Sequence, residues 1–229
     1  MGVYRIYLER SGTFTFQGRT YHYFYRWYGL TFLIERAVEV PIIWDKVQAY
    51  TGRRILELGN CLSHFFPCTH DVLDKYEVAE GVINKDVVDF QAAQPYDLIV
   101  SISTLEHVGW DEKPREPRKI LAALANLIKH LAPGGELVLT FPLGYNPELD
   151  KLLKDNTIRF TDTYFLKRIS RTNRWVQARW EQVLDGKYGQ PFRSGNVIVI
   201  GVIKRHSDGT LKPPATVQDE RNPDHCALH

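Results

Sequence analysis

The chain has 229 residues, 44% hydrophobic and 24% charged, with a formal net charge of +2. That apolar content suits one compact domain with a substantial core and excludes a largely disordered chain. The near-balanced charge points to neither a nucleic-acid footprint nor an anionic membrane, no apolar run approaches a membrane span, and the three cysteines form no disulfide framework.

Three zones follow one another. Residues 1–30 are an aromatic-rich arm. In TFTFQGRTYHYFYRWYG, Phe14, Phe16, Tyr21, Tyr23 and Tyr25 fall at spacings of two across the turn-like Gln17-Gly18, which predicts a hairpin or extended arm. The opening MGVYRIYLER lacks the apolar core of a secretory leader, so a cytoplasmic protein is expected. Residues 31–205 alternate helical and strand patterns, and residues 206–229, polar and proline-containing, read as a mobile tail.

Within the middle zone, TFLIERAVEVPIIWDKVQAY reads as a helix interrupted or offset at Pro41. RILEL is a buried strand, THDVLD a short strand ending at Asp74, GVINKDVVDF holds a third strand, and YDLIVSIS is a fourth, apolar as if covered on both faces. PREPRKILAALANLIKHLA is an amphipathic helix with Ile120, Leu124, Leu127 and Leu131 on one stripe, stopped at PGG. ELVLTFP is the fifth strand. NPELDKLLKD is a short helix with Asn146 as N-cap and Pro147 at the first helical position. TDTYFLKRIS reads as a helix closed by a left-handed Asn173, RWVQARWEQV as a strand, and NVIVIGVIKR as a final buried strand. Strands alternating with helices imply an open, mostly parallel α/β sheet, and the last two strands, with no helix between them, an antiparallel pair.

In this order, residues 50–205 resemble the class I S-adenosylmethionine-dependent methyltransferases. ILELGNCLS is similar to that family's first motif, DVLD to its second strand, KDVVDF to its third motif, YDLIVSISTLEHVGW to its fourth, and LIKHLAPGGELVLTFP to the motif around strand five. The fourth and fifth segments are the specific ones. The resemblance implies a Rossmann-like, seven-stranded, mostly parallel sheet with an antiparallel last strand, helices on both faces, and S-adenosyl-L-methionine as cofactor.

Ligands of such sheets bind outside the carboxyl ends of the strands. The loop after RILEL is at that place, with Gly59, Asn60, Cys61 and Ser63 where the family has a glycine-rich turn. The resemblance implies that Glu57 interacts with the cofactor's cationic amino end and that Gly59, Asn60 and Cys61 line it. Asp74, with Asp71 as its competitor, would take the ribose hydroxyls. Asp86 would contact the adenine amine, with Val87 as backbone and apolar wall. Ser101 and Ile102 would line the pocket from strand four. In LEHVGW, His107 has a titration range suited to taking a hydroxyl proton, and Glu106 would orient it or bind substrate. Ser103 stands where a related Glu-x-x-Glu-His arrangement has its first acid, so no obligatory metal is expected. The acceptor surface is expected from the aromatic arm, Trp110, Tyr145 and the segment after strand five.

The expected activity is O-methylation of a small molecule, sugar-containing or aromatic, with no nucleic-acid or membrane partner. Four other readings compete. Cys61, His64, Cys68 and His70 are possible zinc ligands in one short segment, at no common finger spacing. A nicotinamide-binding enzyme wants Gly-x-Gly-x-x-Gly, and here Gly59, Cys61 and His64 occupy those places. Arg159, Lys167, Arg168, Arg171, Arg174 and Arg179, with Trp175 and Trp180, make a basic-aromatic stretch of the kind that binds RNA. The sparse glycines would also suit a non-catalytic cofactor-binding relative.

Overall fold

The structure, a computed structural model, describes residues 12–214. The part of the N-terminal arm before residue 12 and the tail beyond residue 214 lie outside the described residues.

Alternating aromatics make the arm a hairpin: β1 (Thr13–Phe16) pairs antiparallel with β2 (Arg19–His22). Gln17 and Gly18 supply the two positive φ angles of a two-residue hairpin turn. Phe14, Phe16, Tyr23 and Phe24 turn inward, and Phe16 meets Tyr164 edge-on at 5.5 Å. The next segment, residues 28–33, is a distorted 3-10 turn, and the helix predicted from residue 31 starts later, as α1 (Arg36–Ala49). Pro41 sits inside α1. It has no N–H to give the Ala37 carbonyl, and that carbonyl instead accepts the Phe24 N–H at 2.9 Å.

The main sheet has eight strands, one more than expected. They are β3 (Ile55–Leu58), β4 (Asp71–Leu73), β5 (Val82–Ile83), β6 (Tyr96–Ile102), β7 (Leu131–Pro142), β8 (Asp162–Arg168), β9 (Trp175–Ala178) and β10 (Val197–Lys204). Their spatial order is β5-β4-β3-β6-β7-β10-β8-β9. The first five are parallel, and β10 runs antiparallel between β7 and β8. Chain order reverses beside β3, so the carboxyl ends of β3 and β6 flank the switch point.

Two expectations fail here. TDTYFLKRIS forms β8 rather than a helix, because β10 offers a free edge that pairs with it from Val197↔Lys167 to Val202↔Asp162. Tertiary pairing overrides a weak local preference. The antiparallel partner of β9 is therefore β8, not the last strand. Asn173 does take a positive φ, in the turn between β8 and β9. GVINKDVVDF yields only the two-residue β5, and its remainder is loop.

Helices α2 (Lys119–Lys129) and α3 (Pro147–Lys154) cover one face of the sheet, and α1 with the hairpin covers the other, giving two apolar cores. The α2 stripe buries Ile120, Leu124 and Leu127 as the spacing predicts. Asn146 caps α3, its side chain accepting the Glu148 and Leu149 N–H groups at 3.1 Å. Residues 206–212 are no loose tail: His206 N–H donates to Thr210 O, and Lys212 N–H to Lys204 O. Among the described residues no helix is long and apolar enough to cross a membrane.

Candidate active site

The carboxyl ends of β3, β4 and β6 meet at one edge of the sheet. Gly59 leaves β3 at φ +82°, and a Cβ there would collide with the Thr104 side chain of the loop after β6. Glycine is required for the two loops to touch. Glu57 is 0% exposed. One carboxylate oxygen accepts the N–H groups of Cys61 and Leu62, both at 2.8 Å, and the other meets His70 Nε2 at 2.9 Å. These bonds make Glu57 the residue that shapes the loop after β3.

Cys61 is buried in the α1-side core, and burial pushes its thiol up to about 12. It therefore packs as a small apolar group rather than facing the cleft, and Ser63 beside it is exposed, its hydroxyl on Asn60 Oδ1. The four residues of the zinc reading do not converge. His70 serves Glu57, and His64 lies between the Tyr28 hydroxyl at 3.2 Å and Glu77 at 3.5 Å. Among the described residues no three metal-type ligands form a group.

Asp74 and Asp71 separate cleanly. Asp71 opens β4 at the far edge of the sheet, bonded to the Tyr96 hydroxyl at 2.8 Å. Asp74 follows β4 at the edge of the site, where one oxygen accepts the Tyr76 and Glu77 N–H groups at 2.7 and 2.8 Å. Glu77, unnoticed in the sequence, takes the Asn60 amide at 2.6 Å and so joins the loops after β3 and β4.

Asp86 and Val87 both have partners within the chain. Asp86 is gripped by Lys119 at 2.5 Å and Lys75 at 2.8 Å, with Glu112 bound to the same two lysines. Burial raises its carboxyl, the lysines outweigh that, and it titrates near about 2. The cluster ties the loops after β4, β5 and β6 to the start of α2. The Val87 carbonyl is likewise taken, by the buried Asn126 amide at 2.7 Å, and its side chain packs in the core.

The loop after β6 is different in kind. Ser103, at φ +39°, gives its hydroxyl to Glu39 of α1 at 2.6 Å and its N–H to Thr140 O. Ser101 and Ile102, at the strand's end, are fully buried, and the Ser101 hydroxyl has no partner. Glu106 is buried, its Oε2 is also without a partner, and its carbonyl is held by the Asn146 amide of the α3 cap. Burial, reinforced by Glu39 and Glu35, pushes its carboxyl well above the usual range.

His107 is 44% exposed in its side chain, and its Nδ1 meets Asp111 Oδ2 at 2.5 Å. Asp111, not Glu106, orients the ring: Glu106 lies 3.7 Å away, toward Nε2. The Tyr145 hydroxyl donates to the same Asp111 oxygen at 2.7 Å, and its ring stands edge-on to His107 at 4.8 Å and to Tyr188 at 5.0 Å. Burial tends to raise the Asp111 carboxyl, and the bonds from His107 and Tyr145 hold it below its ordinary value. The sequence did carry a signal for Asp111, which lies four residues after His107, one helical turn away. It carried none for Tyr188.

The basic-aromatic stretch does not form one face. Arg168 is buried and spends its guanidinium on main-chain carbonyls, and Trp175 is buried with its Nε1 on Asn173 Oδ1 at 2.7 Å.

Neither a protein-family model nor a curated protein matches the sequence. Among solved structures the chain is similar to the N-methyltransferase NodS from Bradyrhizobium japonicum WM9, at 14% identity over 75% of this chain and 96% of that one, with a TM-score of 0.42. It is similar to 1,6-didemethyltoxoflavin-N1-methyltransferase from Burkholderia thailandensis at 14% identity over 74% and 79%, with a TM-score of 0.43. It is also similar to magnesium protoporphyrin IX methyltransferase (ChlM) from Synechocystis PCC 6803 at 12% identity over 74% and 78%, with a TM-score of 0.38. Likeness at this level does not by itself say what the chain does.

Proposed function

We propose that the protein is an S-adenosylmethionine-dependent methyltransferase that methylates an oxygen of a small molecule, aromatic or sugar-containing, with His107 as the base. The observation that carries the reading is the state of His107. Asp111 occupies Nδ1, which leaves Nε2 of a half-exposed ring at the same sheet edge as the Gly59 turn. The motif resemblance of residues 50–205 and the strand order, with β10 antiparallel beside β7, agree with it.

The residues fit the cofactor in part. Ser101 Oγ and Glu106 Oε2 are buried polar atoms without partners at the carboxyl end of β6, and such atoms are costly unless a ligand meets them. Gly59 and Asn60 supply close backbone, and Asp74 stands at the strand end suited to ribose hydroxyls. Glu57, Asp86 and Val87 hold partners within the chain that a bound cofactor would share or displace. S-adenosylmethionine, when bound, supplies a methyl group already activated on a sulfonium. The chain's own task is then to hold the acceptor in line and receive its proton at His107 Nε2, while Asp111 steadies the imidazolium. Tyr145 and Tyr188 offer flat faces for the acceptor.

S-Adenosylhomocysteine should raise the Tm and NADH should leave it unchanged. The reverse result sinks the reading.

A further inference from the structure

The exposed apolar side chains are not scattered. Trp27, Tyr28, Leu30 and Leu33 are exposed on the turn that precedes α1, with Trp27 at 65% and Tyr28 at 60%, and Ile169 at 55% follows β8. Because β8 runs parallel to β7, its carboxyl end lies at the same sheet edge as the site. Arg168 gathers these segments into one surface. Its buried guanidinium donates to the carbonyls of Leu33 at 3.1 Å, Arg193 at 2.9 Å, Ser170 at 3.1 Å and Arg171 at 3.3 Å. Asn173 adds a bond to Ile34 O at 2.8 Å. The turn is held open by left-handed backbone at Gly29 and at Leu30, which has φ +48° although it is not glycine. Such a conformation persists only where the surroundings enforce it, and here it presents Leu30 to solvent.

The three segments of this surface carry only basic charged side chains, with the acids Glu77, reached from Tyr28 through His64, and Asp185 at its border. Residues 26–34, 169–174 and 187–195 contain Arg26, Arg171, Arg174, Lys187 and Arg193, all exposed, and no Asp or Glu. The chain's mild net charge of +2 hides this local concentration. Trp and Tyr on a projecting turn, aliphatic side chains beside them and arginines around them are the composition that settles at a lipid–water interface. Leu30, Leu33 and Ile169 offer no flat face to a base, which favours lipid over a single-stranded nucleic acid.

We infer that the turn at residues 27–33, with Ile169 and the surrounding arginines, is a docking surface for an anionic lipid bilayer. Docking there seats the sheet edge that carries His107 against the membrane face, since Tyr28 is bonded through His64 to Glu77 in the loop after β4. The inference replaces the expectation of no membrane partner and stands apart from the reaction proposed for the site.

The test is sedimentation of the full chain with phosphatidylcholine vesicles and with mixed phosphatidylcholine–phosphatidylglycerol vesicles, at low and high salt. Binding is expected to the mixed vesicles and to weaken with salt. Trp27→Gln with Leu30→Asn should cut the partition coefficient at least about tenfold, asparagine being chosen because it accepts left-handed backbone. Each of Arg26→Gln, Arg171→Gln and Arg193→Gln should cut it about fivefold. All variants should keep the Tm of the unmodified chain, which separates lost docking from lost folding. Any of four results overturns the inference: no binding to mixed vesicles, equal binding by the variants, a dimer that the Trp27 variant dissolves, or capture of single-stranded RNA in place of vesicles.

Discussion

The loops after β3 and after β6 touch at Gly59 and Thr104, yet they spend their polar groups in opposite ways. The first is closed on itself. Glu57 serves two loop amides and His70, Asn60 and His64 serve Glu77, and Cys61 is packed in the core. The second is left open. Glu106 Oε2, like Ser101 Oγ at the end of β6, has no partner, and Asp111 holds His107 Nδ1 while Nε2 has only Glu106 Oε1 near it, at 3.7 Å. The internal bonds of the first loop fix its shape, whereas the unpartnered buried groups at the end of β6 and in the second loop are what the proposed ligand would meet.

The contrast can be broken by mutation. His107→Ala should lower turnover by about 10² to 10⁴-fold, the range of a lost general base, while calorimetry finds S-adenosylhomocysteine affinity unchanged. Near-normal turnover would remove the reactive role from the second loop. Glu57→Ala should instead act on stability, by about 3–5 kcal/mol, because it strands His70 and two amides in a dry site. Denaturant titration checks this, and a loss of cofactor affinity without a loss of stability would show that Glu57 is not the scaffold residue described here.

Smaller effects sharpen the boundary between the loops. Gly59→Ala should cost about 1–3 kcal/mol, since it combines positive φ with a collision against Thr104, and Thr104→Ser should recover part of it. Asp111→Asn should lower turnover about tenfold or more, because His107 loses the partner that fixes its ring. Unchanged turnover would detach Asp111 from the reaction. Asp86 gives the smallest effect. Its folded value lies near about 2, below its value in the unfolded chain, so its contribution is complete above the unfolded value and is lost as pH falls through the folded one. Solvent screening limits this to about 1 kcal/mol. Asp86→Asn should flatten that part of an acid-unfolding curve.

What the sequence revealed divides along the same line. The α3 cap was legible because Asn146 and Pro147 act within their own turn, and the α2 stripe because its period is local. The first five sheet strands were legible in order, though β5 shrank to two residues. β8 was not, because its state depends on an edge of β10 that lies some thirty residues further on. In the site, His107 stood out by its motif, and Asp111 was within reach of a spacing argument. That His70, thirteen residues away, turns back to Glu57 could not be seen in the sequence. Nor could the grip of Lys75 and Lys119, which reach Asp86 from separate elements. Sequence motifs locate the strand ends, whereas charge partners recruited from other elements decide which acids are free.

Pro41 has one more consequence. Its ring leaves a single main-chain acceptor unclaimed on the flank of α1, and the incoming chain at Phe24 fills that vacancy. A gap in an otherwise repetitive ladder is the one place along a helix where a passing strand finds a backbone address rather than a smooth cylinder. The proline thus fixes how far along α1 the arm can slide, and with it how far the Trp27 turn stands from the sheet edge.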